Sequence, residues 1–127
     1  EFSNYCRCNC MYCGIRAENR FVERYRLTKE QIISLAKNAA GFGYKTVVLQ
    51  AGEDMYFTAE YLSEIIKELK RNDIAVTLSI GERSFDEYAL LKDAGADRFL
   101  LRLETSDKEL YETMHPKASY ENRKRCI

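Results

Sequence analysis

The stretch Thr46–Arg71, TVVLQAGEDMYFTAEYLSEIIKELKR, decides how the rest of the chain is read. It opens with a short β-branched, apolar run, Thr46–Ala51, of the kind that forms a buried strand. The polar turn Gly52-Glu53-Asp54 follows. Thr58 then starts a helix to Arg71, with Leu62, Ile65, Ile66 and Leu69 recurring at helical spacing as one apolar stripe. Strand, turn and amphipathic helix make one β/α unit.

The same unit recurs on both sides. Upstream, Phe2–Tyr5 reads as a weak first strand. After a long loop, Thr28 caps a helix whose Gln31 completes a capping box. Ile32, Leu35, Ala36, Ala39 and Ala40 share one face of that helix, and Gly41 and Gly43 end it. Downstream, Ala75–Ile80 is a strand, and Ser84 with Glu87 caps a helix ending near Gly95. Arg98–Glu104 is a further strand. Ser106 with Glu109 repeats the cap, and a last helical region is broken at Pro116. Strands alternating with helices at this spacing predict a parallel sheet. Four units without a nucleotide-binding glycine fingerprint predict an α/β fold, the first half of a (β/α) TIM-type barrel; a small doubly wound sheet is the alternative. The domain expected is a single core spanning 1–127, cut at both ends, since the chain starts at Glu1 and stops within a helical stretch.

A barrel places its chemistry at the C-terminal ends of its strands. Those ends carry a cysteine loop, Gly52-Glu53-Asp54, Gly81-Glu82-Arg83, and Arg102 with Glu104. Alternation along the last strand turns Phe99, Leu101 and Leu103 toward the helices and Leu100, Arg102 and Glu104 toward the interior. Thr77 and Ser79 likewise oppose Val76, Leu78 and Ile80.

Composition narrows the function. The 127 residues are 46% hydrophobic and 31% charged, which suits a globular domain. Twenty basic and 20 acidic side chains leave no net field for nucleic acid or an anionic membrane, so neither is an expected partner. No apolar run approaches the length of a membrane span, and no signal peptide is visible. Four of the five cysteines fall at 6, 8, 10 and 13, with Cys126 far away. A cluster this tight, without a secretion signal, points to a metal or iron–sulfur centre in a reducing, cytoplasmic compartment.

The spacing Cys6-x3-Cys10-x2-Cys13 offers three thiolates to a four-iron cube and leaves one iron open for a small molecule. A four-thiolate zinc site that also uses Cys8 is the alternative, although zinc sites favour two separated cysteine pairs.

The run NYCRCNCMYCG, Asn4–Gly14, resembles the signature of the radical S-adenosylmethionine (SAM) superfamily. The likeness continues through LQAGED, TLSIGE, AGADRFLLRLET and SYENR. It is nearest to the branch that holds biotin synthase, methylornithine synthase and the [FeFe]-hydrogenase maturation enzymes. The resemblance implies a [4Fe–4S] cluster on Cys6, Cys10 and Cys13, whose open iron chelates the amino and carboxylate groups of SAM. It implies Tyr12 beside the adenine and Gly52-Glu53 receiving the SAM ammonium through backbone groups. Arg102 would lie near the carboxylate, Glu104 near the ribose or ammonium, and Arg123 would form a second carboxylate clamp. Thr77 would face the substrate cavity. It further implies reductive cleavage of SAM to a 5′-deoxyadenosyl radical, a small-molecule or small iron-complex substrate, an electron-donor protein and, in the maturation branch, other maturation proteins of an anaerobic organism. A methylornithine synthase-like mutase, a biotin synthase-like sulfur insertion and a non-catalytic zinc or iron–sulfur module are the rival readings.

Other residues read more plainly. Cys8 is a spectator, and Ala51 and Leu103 stand where relatives often carry Ser and His. Arg102 and Glu104 could instead pair with each other. Glu82 and Arg83 read as helix-start and surface residues, His115 as a loop residue, and Cys126 as a buried helix residue. Arg16, Arg20, Arg24 and Arg26, interleaved with Glu18 and Glu23, read as a solvated loop.

Overall fold

The computed structural model describes all residues, Glu1–Ile127. Three strands, β1 (Thr46–Gln50), β2 (Ala75–Ser79) and β3 (Arg98–Phe99), form a parallel sheet in the order β1-β2-β3. Register pairs Val48 with Thr77 and Gln50 with Ser79, and Thr77 with Arg98. Five helices complete the chain: α1 (Lys29–Gly41), α2 (Ala59–Lys70), α3 (Phe85–Asp93), α4 (Lys108–Met114) and α5 (Tyr120–Cys126).

The segment Phe2–Tyr5 lies in the expected place but contributes one bridging residue. Ser3 bridges Ala51 in parallel and Arg26 antiparallel, while the Phe2 amide donates to Gln50 O and the Gly52 amide to Ser3 O. The last strand is shorter than Arg98–Glu104. Its ladder ends after the Leu100 amide donates to Leu78 O, because no further strand flanks it to pair residues 101–104.

Local capping sets the helix starts. Thr28 with Gln31 and Ser84 with Glu87 both form full capping boxes, and Thr58 caps α2. The α4 cap is Asp107, not Ser106: its carboxylate accepts from the Leu110 amide, and an aspartate caps as well as a serine.

The apolar face of the sheet packs on α1, α2 and α3. Leu62, Ile65, Ile66 and Leu69 of α2 are fully buried against Val76, Leu78 and Ile80. Each such side chain contributes about 1.5–3 kcal/mol of transfer free energy. From α1, Ile32 and Ala36 reach this core, while Leu35 stays exposed. The other sheet face carries Val48, Gln50, Thr77 and Ser79, of which Val48 and Gln50 are exposed. Beyond β3, Leu100, Arg102 and Glu104 are exposed and alternate with partly buried Leu101 and Leu103. No helix is long and apolar enough to cross a membrane.

An ion pair between exposed Arg26 and buried Asp54 fastens the first segment to the β1 turn. Arg26 donates from Nε to Asp54 Oδ2 at 2.7 Å and from its terminal nitrogen to Oδ1 at 2.9 Å. Ser3 adds a bond of 2.6 Å, and the guanidinium lies over the rings of Tyr5 and Tyr56. Burial opposes ionisation of Asp54, but the bonds from Arg26 and Ser3 outweigh it and hold the carboxyl below its usual 3.8. A lowered native pKa stabilises the fold above the unfolded value and ceases to do so as pH falls through the native one. Asp54→Asn is therefore expected to cost about 1–3 kcal/mol at neutral pH. It should also flatten the loss of stability below about pH 4. Circular dichroism melts across an acid series measure both; an unchanged acid limb would exclude this pair as its source.

Candidate cofactor site at the strand ends

The cysteine loop is held from within by Arg24. Its guanidinium donates to the carbonyls of Asn4, Ile15, Arg16 and Asn19, with the Ile15 and Arg16 bonds at 2.9 and 2.8 Å. Asn4 closes the base, donating to Glu23 O at 2.7 Å and accepting from the Tyr25 amide at 2.8 Å. The Ala17 amide reaches back to Cys8 O at 2.8 Å. Arg24 is thus structural, and Arg26, though exposed, is tied to Asp54, which charge interleaving along the sequence does not reveal.

Glu53 then docks this loop on the barrel rim. Its amide donates to Cys6 Sγ at 3.3 Å and its carbonyl accepts from the Arg7 amide at 3.1 Å. One carboxylate oxygen takes the Arg7 guanidinium at 2.6 Å, and the other accepts from the Glu82 amide at 3.1 Å. Two glycines permit the approach. A Cβ on Gly52 would lie 2.2 Å from Tyr5 O, and one on Gly81 would lie 2.5 Å from the Glu53 side chain. Gly81 also sits at φ 78°, a region costly for other residues.

The thiols of this loop influence one another. A hydrogen bond from Cys8 lowers Cys6 to about 6 against the opposing effect of burial, and the same bond raises Cys8. Cys10 is pushed up by burial and then by the charges of Cys6 and Cys13. The Cys6 thiolate is the metal-ready form.

Opposite the loop, the far end of the chain supplies a second set of groups. The Met11 amide donates to Met114 O at 3.0 Å. Tyr12 Oη and His115 Nε2 are 2.7 Å apart, and His115 Nδ1 is 2.7 Å from Tyr111 O. A carbonyl only accepts, so Nδ1 carries the proton and the Tyr12 hydroxyl donates to Nε2. Partial burial and then the Glu104 carboxylate push the Tyr12 phenol up, which keeps that hydroxyl protonated. His115 is buried and stacks on Tyr111 at 4.1 Å.

Arg123 completes this side. Its Nε donates to Tyr111 Oη at 3.1 Å and lies 2.8 Å from Glu82 Oε1. Burial would weaken its charge, but Tyr111 and Glu82 outweigh that and raise its pKa. Glu82 and Arg83, read from sequence as surface residues, are 8% and 6% exposed. Arg102 and Glu104 form no ion pair with each other or with any other group; both are exposed at the rim. Glu104 holds φ 70°, a left-handed backbone uncommon for a non-glycine residue. Thr77 is buried on the interior face of β2.

These donors suit an iron–sulfur cube. Three thiols lie on one ordered loop, half-buried and next to an amide that already donates to sulfur.

A parallel β/α sheet with a three-cysteine loop at its strand ends has the form of a partial β/α barrel. The chain belongs to the radical SAM superfamily, whose profile matches residues 1–127. That superfamily consists of enzymes that use a [4Fe–4S] cluster and SAM. Over 127 residues the chain is 50% identical to the [FeFe] hydrogenase maturase subunit HydE of Thermotoga maritima, covering 100% of this chain and 36% of that protein. It is 34% identical over 126 residues to 3-methylornithine synthase of Methanosarcina acetivorans, covering 96% of this chain and 35% of that protein. Crystal structures of methylornithine synthase (PylB) and of HydG, a maturase of the [FeFe]-hydrogenase, superpose with TM-scores of 0.90 and 0.88 at 30% and 29% identity. They cover 98% of this chain and 38% and 30% of those chains. The chain therefore spans about a third of the length of these relatives.

Proposed function

We propose that this chain is the cofactor-binding part of a radical SAM enzyme acting in [FeFe]-hydrogenase maturation. The observation that carries the reading is the ordered loop that presents Cys6, Cys10 and Cys13 beside the Gly52-Glu53 turn, facing Arg123 across the strand ends. The 50% identity to a HydE protein favours maturation over the mutase reading, since the methylornithine synthase match is 34%.

Residue roles follow from the chemistry of the ligand. Cys6, Cys10 and Cys13 hold the cluster. When bound, it supplies one electron to the SAM sulfonium, breaking a C–S bond to give methionine and a 5′-deoxyadenosyl radical. The Tyr12 ring lies beside the adenine, held there by His115. The Gly52 and Glu53 carbonyls each keep a lone pair for the SAM ammonium, whereas the Glu53 carboxylate is already occupied by Arg7 and the Glu82 amide. Arg102 and Arg123 suit the carboxylate, as forked donors do. Glu104 suits the ribose diol. Thr77 faces the substrate, a small molecule or small iron complex. An electron-donor protein and other maturation proteins are the partners this activity needs, and the cytoplasm of an anaerobic organism is its setting.

The test is anaerobic reconstitution of the full-length protein with iron and sulfide. A reduced-cluster EPR spectrum that changes on adding SAM, with 5′-deoxyadenosine formed, is the expected result. Bound zinc, or an iron spectrum indifferent to SAM, would overturn it.

A further inference from the structure

Glu82 is buried, and nothing in the SAM chemistry above uses it. It nevertheless sits where the two halves of the site join. Its backbone amide donates to Glu53 Oε2 at 3.1 Å, linking it to the carboxylate that holds Arg7 of the cysteine loop. Its side chain links to the other half: Asn122 donates to Oε2, and Oε1 is 2.8 Å from Arg123 Nε. The Nε proton points to Tyr111 Oη, so Oε1 is a buried carboxylate oxygen that faces a cation without a hydrogen bond.

The consequence for Arg123 is geometric. A guanidinium has one Nε and two terminal nitrogens. Glu82 and Tyr111 occupy the Nε side, and one terminal nitrogen lies 3.4 Å from Arg102 O. The remaining terminal donors stay available for a bidentate carboxylate. The buried counter-charge offsets the desolvation of the guanidinium and fixes its plane.

We infer that Glu82 is a positioning residue that orients the Arg123 fork for the carboxylate of the SAM amino-acid moiety and ties that fork to the cysteine loop. The inference rests on the proposed role of Arg123, and the experiment separates the two. Binding of S-adenosylhomocysteine, which has the carboxylate, is compared with binding of 5′-methylthioadenosine, which lacks the whole amino-acid part. Both are titrated into the reconstituted full-length protein and into E82Q, Y111F and R123K.

The expected result is that E82Q weakens S-adenosylhomocysteine by about tenfold or more while 5′-methylthioadenosine changes by less than about twofold. Y111F should show the same split, more weakly, and keeps the test available if E82Q does not fold. R123K weakening S-adenosylhomocysteine while E82Q and Y111F leave it unchanged would overturn the inference alone. R123K leaving it unchanged would remove the carboxylate role of Arg123, and the inference with it. Equal weakening of both ligands in E82Q and Y111F would show a general structural role and also overturn the inference.

Discussion

Serine in place of Cys6, Cys10 or Cys13, one at a time, is expected to abolish retention of the cluster, while Cys8→Ser keeps it. Serine removes the soft thiolate that iron–sulfur centres need but preserves the backbone and nearly the volume. Cys6 also has a structural partner, because the Glu53 amide donates to its sulfur. Cys8 differs in kind: its structural contribution is a carbonyl that accepts from the Ala17 amide at 2.8 Å, which serine retains. Iron and sulfide content after anaerobic reconstitution, with broad visible absorption, distinguishes the variants. If Cys8→Ser lost its iron as completely as the others, four thiolates would be ligating and no iron would be open to SAM.

The second large effect is expected at Gly52. Alanine there would place a carbon 2.2 Å from Tyr5 O and 2.8 Å from Cys6 Cβ. The first contact is with backbone, which cannot rotate away as a side chain does. Tyr5 would have to move by about 1 Å or more to regain ordinary contact. It is held by its neighbours, since the Gly52 amide donates to Ser3 O and the Tyr5 amide approaches Ser3 Oγ at 3.2 Å. Overpacking of this kind costs about 3 kcal/mol. A loss of that size lowers Tm by several degrees in the full-length protein. The same movement displaces Cys6, so iron retention should fall with stability. Gly14→Ala is the control in the same loop: its Cβ meets nothing within 4 Å, and stability should stay within about 0.5 kcal/mol. Thermal melts and iron content report both. A Gly52→Ala protein as stable and iron-rich as the parent would mean that the loop does not dock on this turn.

Local signals in the sequence were legible because their causes are local. The Thr28/Gln31 and Ser84/Glu87 boxes need only four residues each, and the α2 stripe needs only helical period. The inward and outward sets along Arg98–Glu104 follow from the pleat even though the ladder stops early. What sequence did not show is set by distant contacts. Glu82 is buried by Arg123 and Asn122, and His115 by Tyr12 and Tyr111. Arg24 looks like any loop arginine until the carbonyls it collects are brought together by the fold. From sequence, Gly52-Glu53 has a role through backbone groups alone, and nothing there shows that the Glu53 carboxylate is taken up by Arg7 of the loop and by the Glu82 amide.

The Arg24 guanidinium couples the two flanks of the cysteine segment, since the carbonyls it gathers belong to Asn4 before the cysteines and to Ile15, Arg16 and Asn19 after them. Ordering such a segment costs roughly 1–2 kcal/mol for each residue fixed. Four carbonyls drawn to one half-buried cation offset part of that cost from within the protein, so the path of the segment does not depend on its thiols alone.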